Sequence, residues 1–301
     1  MKLFTFVPLA IGTLRSKPGA SMLRNVLGAL LCSAWLFHSA DAHAQGLNGF
    51  LPGKDNATIA VSHTFESYDE YWVGTELITD PSLGEIETGS VSLYADVGIL
   101  EDLAITANFA YVDVASNGPA PLSDQGLQDR TFLLRYRFLK LEGSGLQHVF
   151  VAGAGLRAPM APYEPNRVVA LGDETHDALF RFVYQLQMGV LDGGYVSGEF
   201  GYDLREDDTP DQTSAYGEIG VTIGRLSPSF AMYRNWADGG FDIGDPGFRF
   251  PELDAETFRI GGKLYYRVSS SFGIAVSGFT TPDGQNVGQA TGISTSLVAN
   301  L

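Results

Sequence analysis

From Thr58 to the C-terminus, apolar and polar side chains alternate in short runs, and each run ends in a cluster of Gly, Pro, Ser or acidic residues. A period of two places alternate side chains on opposite faces of a β-strand. The pattern is clearest over Asp129–Leu139, where Phe132, Leu134, Tyr136 and Phe138 face one way and Thr131, Leu133, Arg135 and Arg137 the other. It predicts twelve strands: Thr58–Ser67, Thr88–Ile99, Leu103–Val114, Asp129–Leu139, His148–Ala158, His176–Val190, Tyr195–Leu204, Thr213–Gly224, Pro228–Ala237, Asp254–Val268, Ser271–Thr281 and Gly288–Leu301. Ten or fourteen strands also fit.

The connections carry a second signal. Those after odd strands are longer, as in the acidic segment through Tyr71, Trp72 and Pro81, or Ala115–Gln128, Pro159–Thr175, Arg205–Gln212 and Asp238–Leu253. Those after even strands are tight turns: Leu100-Glu101-Asp102, Glu142-Gly143-Ser144-Gly145, Asp192-Gly193-Gly194, Arg225–Ser227 and Ser269-Ser270. The last connection, Pro282-Asp283-Gly284, is barely longer than a turn. Strands that cross a bilayer and return give long loops at one end of a barrel and short turns at the other. Together these predict an all-β, membrane-spanning antiparallel up-and-down β-barrel of about twelve strands, with no second domain. An open sheet edge cannot be satisfied in lipid, so the sheet must close.

The N-terminal stretch adds a location. Arg24, the apolar run Val26–Phe37 and Ala42-His43-Ala44 form an export signal, assigning residues 1–44 to a signal peptide whose true start is Met1 or Met22. Cleavage would remove Cys32, the only cysteine, which suits a Gram-negative envelope protein without disulfides. Residues 45–301 keep 15 of 19 basic and 34 of 35 acidic residues, for a formal charge of 15 − 34 = −19. Such a balance excludes nucleic acid as a partner, because phosphate binding needs clustered Lys and Arg.

The candidate chemistry lies on the polar strand faces. Arg135, Arg137, Arg181, Arg259, Lys263 and Arg267 stand with Glu66, Asp96, Glu199, Asp203 and Glu218 as lumen candidates. They read either as a charged wall that sets pore selectivity or as ion pairs that fill and stabilise the interior. Tyr71, Trp72, Tyr111, Tyr163, Trp236 and Phe241 lie near loop ends, where aromatics form interfacial girdles or line a route for an apolar ligand. The acidic loops, with Asp69, Glu70, Glu206, Asp207, Asp208, Asp211, Asp242 and Asp245, read as solvated surface or as bridges through divalent cations to lipopolysaccharide phosphates. His63, His148 and His176 lack a G-x-S-x-G serine, which argues against a hydrolase. No zinc-type, Walker or EF-hand motif calls for a cofactor or metal.

Three stretches carry a family resemblance: Tyr94–Leu103 (YADVGILEDL), Phe109–Val114 (FAYVDV), and Gly126–Arg130 (GLQDR) running into Leu134–Phe138 (LRYRF). In these the chain resembles outer-membrane barrels associated with phenol meta-cleavage degradation, loosely related to hydrophobic-compound channels. The resemblance implies uptake of small, often aromatic molecules. It also implies contact with outer-membrane lipid, lipopolysaccharide and the barrel assembly machinery, which reads an aromatic C-terminal residue where this chain has Leu301. Gln128 stands where the group often has Gly. The expectation is a passive channel or uptake porin for a small-molecule solute in the Gram-negative outer membrane, with both termini periplasmic. A non-transport structural or adhesion barrel with a plugged lumen, and an exported soluble β-sandwich, remain as alternatives.

Overall fold

The computed structural model describes residues 46–189, 193–206 and 208–301; the signal-peptide assignment and Asp192 and Asp207 of the predicted turns and loops lie outside the described residues. Fifteen strands follow in order: β1 (Ala57–Tyr68), β2 (Glu70–Val73), β3 (Glu76–Thr79), β4 (Ile86–Leu100), β5 (Leu103–Ser116), β6 (Ser123–Leu127), β7 (Arg130–Gly143), β8 (Leu146–Ala158), β9 (Asp177–Met188), β10 (Gly194–Leu204), β11 (Gln212–Gly220), β12 (Leu226–Ala237), β13 (Glu256–Arg267), β14 (Phe272–Gln285) and β15 (Thr291–Asn300). Twelve of them form a closed antiparallel barrel in which each pairs with its chain neighbour, β4 pairs with β5, and β1 pairs with β15 from Thr58↔Asn300 to Ser67↔Thr291. Leu301 and Ala57 exchange two further backbone hydrogen bonds at 2.8 and 3.0 Å. No barrel edge is left open.

Side chains divide as the alternation predicts. Val91, Leu93, Val97, Phe132, Leu134, Tyr136, Phe180, Phe182, Phe200, Phe230 and Leu264 are exposed on the outside, while Ser90, Ser92, Asp96, Arg135, Gln185, Glu199 and Glu218 are buried inside. An apolar exterior around a polar interior is stable in a bilayer and inverts the order of a soluble sandwich. That overturns the soluble alternative. A bulge at Phe138 places both Phe138 and Leu139 outside, and pairing resumes at Leu139↔Phe150.

The short-turn end matches its sequence chemistry. Ser144 and Gly145 both have positive φ, 53° and 76°, the conformation that two-residue hairpins need. The eighth barrel strand, β11, stops at Gly220 and not at the predicted Gly224, because Ile223 turns back onto Leu226 across Gly224.

At the long-loop end more of the chain is ordered than the loop composition predicts. The first long connection holds the hairpin β2–β3, and β6 pairs back on β5, continuing that wall beyond β7. Pro282, Asp283 and Gly284 lie within β14 and do not form a loop. There the ladder skips from Ile260↔Thr280 to Phe258↔Asp283, and Pro282, which has no N–H to give, sits in the resulting bulge. The turn follows at Asn286, with φ 53°. A single-turn 3₁₀ helix, Phe250–Glu252, lies in the connection before β13.

The lipid-facing assignment is tested by Phe182→Arg, at the middle of β9. A loss of about 2–4 kcal/mol is expected for a cation at the bilayer midplane, read from urea refolding into vesicles.

Candidate functional site

Two segments of the chain enter the lumen, one from each end. The first precedes β1. From Gly46 to Leu51 it runs inside the barrel at the short-turn end, with its backbone N–H groups bound to the wall: Leu47 N donates to Glu199 Oε2, and Gly49 N to Gln185 Oε1 at 2.8 Å. Its apolar side chains Leu47 and Leu51 pack on Val149, Val151 and Val183, and Phe50 meets Tyr195 edge to face at 5.1 Å. Glycine lets the segment pass this close, because a Cβ on Gly49 would lie 2.7 Å from Gln185 Cβ and push the segment back, and one on Gly46 would run into the Tyr216 ring.

Arg135 joins this plug to the wall. Only 1% exposed, its guanidinium pairs with Asp96 Oδ2 at 3.0 Å, contacts Thr106 Oγ1 at 3.4 Å, and donates from Nη2 to the carbonyls of Asn48 and Phe50, both at 2.8 Å. Gly153 lies between Arg135 and Arg181 in the ladder, so neither long side chain meets a neighbour there.

The second segment is the connection from Pro159 to His176. Val169 and Leu171 insert among Ile86, Ala110, Val112 and Val114 on the inner faces of β4 and β5. Tyr163 donates its hydroxyl to Asp129 Oδ1 at 2.6 Å and accepts from Glu174 N at 2.8 Å. Burial, followed by the Asp129 hydrogen bond, raises the Tyr163 pKa above the ordinary tyrosine value, so at neutral pH the hydroxyl keeps its proton and can donate it. Asp173 pairs with Arg205 from β10's outer end.

Between the two segments lies a cavity of about 470 Å³, lined by Leu47 of the first segment and Gly172 and Asp173 of the second. Its wall is uneven. On β15, β1 and β4 it is built of small hydroxyl side chains, with Ser62 bonded to Ser296 and Thr64 to Ser294, both at 2.8 Å. Across from these, Arg181 pairs with Asp203 and lies 3.5 Å from Glu199, Arg157 pairs with Asp177, and Lys263 pairs with Glu218 at 3.1 Å. Arg259 pairs with Glu66 at 3.0 Å and stacks 4.4 Å over the Phe279 ring.

Nine of the eleven charged candidates therefore sit inside the barrel in pairs. Arg137 and Arg267 do not join them: both lie at the short-turn rim, on Asp102 at 2.6 Å and on the Gly224 carbonyl at 3.1 Å. The aromatic candidates scatter. Tyr111 and Phe241 are exposed, Trp236 carries Arg234 over its ring at 5.7 Å, and Tyr71 bridges to Gly288. Trp72, only 6% exposed, anchors the β2–β3 hairpin through its backbone bond to Val287 and departs from a girdle position, as does Tyr163 inside the mouth. Arg157, Asp177, Gln185 and Arg205, together with the 46–51 segment, are not singled out by the sequence pattern. The glycines at 46 and 49 are the one signal of close passage there. His63 lies on β1 and His148 on β8, bonded to Tyr184, while His176 lies before β9 beside Glu206. Among the described residues no group of His, Cys, Asp and Glu is placed to hold a metal ion.

A family profile described as "Putative MetA-pathway of phenol degradation" matches residues 88–297. No curated protein matches the sequence. Among solved structures, the fold is similar to an outer membrane channel from Pseudomonas putida F1, with TM-score 0.61, 15% identity, and coverage of 87% of this chain and 99% of that one. The translocator domain of the autotransporter NalP from Neisseria meningitidis aligns at TM-score 0.43 and 9% identity over 94% of this chain and 95% of that one. The KdgM porin with disordered oligogalacturonate aligns at 0.43 and 9% over 80% and 98%.

Removing the partner of a buried charge costs about 3–5 kcal/mol, whereas an exposed pair contributes about 0–1 kcal/mol. Asp96→Asn should therefore lower stability in urea by the larger amount, and Asp102→Asn, at the rim beside Arg137, by the smaller.

Proposed function

The chain belongs to this family, and from that premise we propose that it is an outer-membrane channel for small, uncharged molecules with substantial apolar surface, its lumen closed at rest by two of its own segments. The observation that carries this reading is the chamber between those segments. A barrel whose interior served only as filling would have no need of a space of about 470 Å³, the size of a small-molecule pocket.

The wall chemistry supports an uncharged solute. Four basic residues (Arg157, Arg181, Arg259, Lys263) and five acidic ones (Asp129, Asp173, Glu199, Asp203, Glu218) line the chamber, so the lumen has little net field to favour either ion sign. The Tyr94, Tyr216, Tyr233 and Phe279 side chains and the hydroxyl wall offer apolar faces and hydrogen bonds to one ligand. The alternation of long loops and short turns supports an orientation with the long loops outside the cell and both termini in the periplasm. Membrane lipid then surrounds the apolar belt, with lipopolysaccharide at the acidic loops and the assembly machinery reading the β15 end.

The test is single-channel current in planar bilayers, comparing the full protein with a variant lacking residues 46–51. The full protein should pass little current. The deletion should conduct with weak ion preference, and cyclohexanol should interrupt that current while inositol does not. A large, steady, ion-selective current from the full protein would contradict this reading.

A further inference from the structure

The apolar cluster inside the long-loop mouth is out of place in a polar lumen. At the same end, the inner face carries Glu66 on β1, Asp177 on β9, Asp203 on β10 and Thr281 on β14, all buried, yet on β4 and β5 it carries Ile86, Ala110, Val112 and Val114. Apolar side chains at a channel mouth are unfavourable when wet. Here they are dry because Val169 and Leu171, 1% and 3% exposed, lie on them, with Tyr68, Leu122 and Tyr163 packed around the edge. Gly126 of β6 completes the niche, since a Cβ there would lie 3.0 Å from Leu171 Cδ1.

The segment that covers the niche has no strand or helix in its 18 residues, between the end of β8 and the start of β9. Its other holds are the Tyr163 ring, which packs at the edge of the same cluster, and polar contacts that water can replace: the Tyr163 hydroxyl on Asp129, Arg167 on Asp124 at 3.3 Å, and Asp173 on Arg205. The two residues after Leu171, Gly172 and Asp173, line the chamber itself. Lifting Leu171 out of its niche therefore opens the chamber wall at the same point.

We propose that this niche is a solute-binding site in which Val169 and Leu171 are the resident occupants, and that a small apolar solute opens the channel by taking their place. The inference rests on the channel reading above and names the site where the solute first binds. The chemistry follows from the occupants, because a niche that buries an isopropyl and an isobutyl group accepts a compact apolar group of similar size. A solute in that position restores the contacts that the displaced side chains lose. Exchange then proceeds without exposing the niche to water. A molecule of equal size with a hydroxyl on every carbon cannot do this, as its polar groups would be buried without partners, whereas a single hydroxyl can stay at the niche rim.

The test uses single cysteines at Leu171 and at Val112, in the occupant and in the niche floor, with Cys32→Ser removing the only native thiol. Each is labelled with a charged, membrane-impermeant maleimide in lipid nanodiscs after heat-modifiable migration has confirmed the folded barrel. Cyclohexanol should speed labelling of Leu171→Cys about tenfold while leaving Val112→Cys as slow as before or slower. Inositol should change neither. Val169→Cys repeats the occupant measurement where Leu171→Cys folds poorly. Faster labelling of both positions together would mean a loosened barrel and would overturn the exchange, as would no response at either. If exchange fails while cyclohexanol still interrupts the current of the 46–51 deletion, the channel reading stands and the niche reading falls.

Discussion

A β-sheet in a bilayer has to close on itself, and the pairing of β1 with β15 is where this chain does so. Unpaired N–H and C=O groups find no water in hydrocarbon, and each costs several kcal/mol. Ten register pairs, extended by the two hydrogen bonds between Ala57 and Leu301, leave no such edge. Closure then assigns every strand residue to lipid or to lumen. The charges that the alternation directs inward have little bulk water to solvate them, so they pair across strands: Arg135 with Asp96, Arg181 with Asp203, Arg259 with Glu66, Lys263 with Glu218.

The same constraint explains how the plug is held. Arg135 spends one nitrogen on Asp96 and the other on two backbone carbonyls of the 46–51 segment. Glu199 and Gln185 receive that segment's N–H groups. Most of these holds use backbone atoms of the plug, so they specify its path more than its side chains, and water can take over each one singly at modest net cost. The apolar contacts of Leu47 and Leu51 with three wall valines supply the rest. At the other end the division is similar: two apolar side chains in a niche, with tyrosine and ion-pair contacts around them. Each closure combines a small dry contact with exchangeable polar bonds, a composition suited to segments that leave and return.

Much of this architecture is legible in the sequence, for a physical reason. Alternation over Phe132–Phe138 and the long-short order of the connections report directly on lipid contact and bilayer crossing. They place all twelve barrel strands and send Arg135, Arg181, Glu199 and Glu218 inward. What a period of two cannot show is which inward residues meet, since Arg259 and Glu66 are 193 positions apart. Nor can it show a segment without alternation folding back into the lumen. Residues 46–51 carry no alternation to read, and Pro159–Thr175 reads as one of the long connections. In both, the contacts that matter depend on the closed barrel already being there. Trp72 misleads for a related reason: an aromatic residue in a loop looks like a girdle residue until the β2–β3 hairpin that carries it docks beside Gly284 and Val287.

The central claim is that solute passes through the lumen and that the 46–51 segment must move for it to do so. Gly49 and Gln185 can be bridged by a disulfide once the segment backs away by about 1 Å, because an ideal Gly49 Cβ lies 2.7 Å from Gln185 Cβ and a disulfide spans roughly 3.5–4.5 Å between Cβ atoms. The decisive measurement is uptake of labelled cyclohexanol by intact cells carrying Gly49→Cys/Gln185→Cys, oxidised and then reduced. The account predicts that oxidation lowers uptake to the level of cells lacking the protein and that reduction restores it. Equal uptake in the two states would show that solute does not pass the plug.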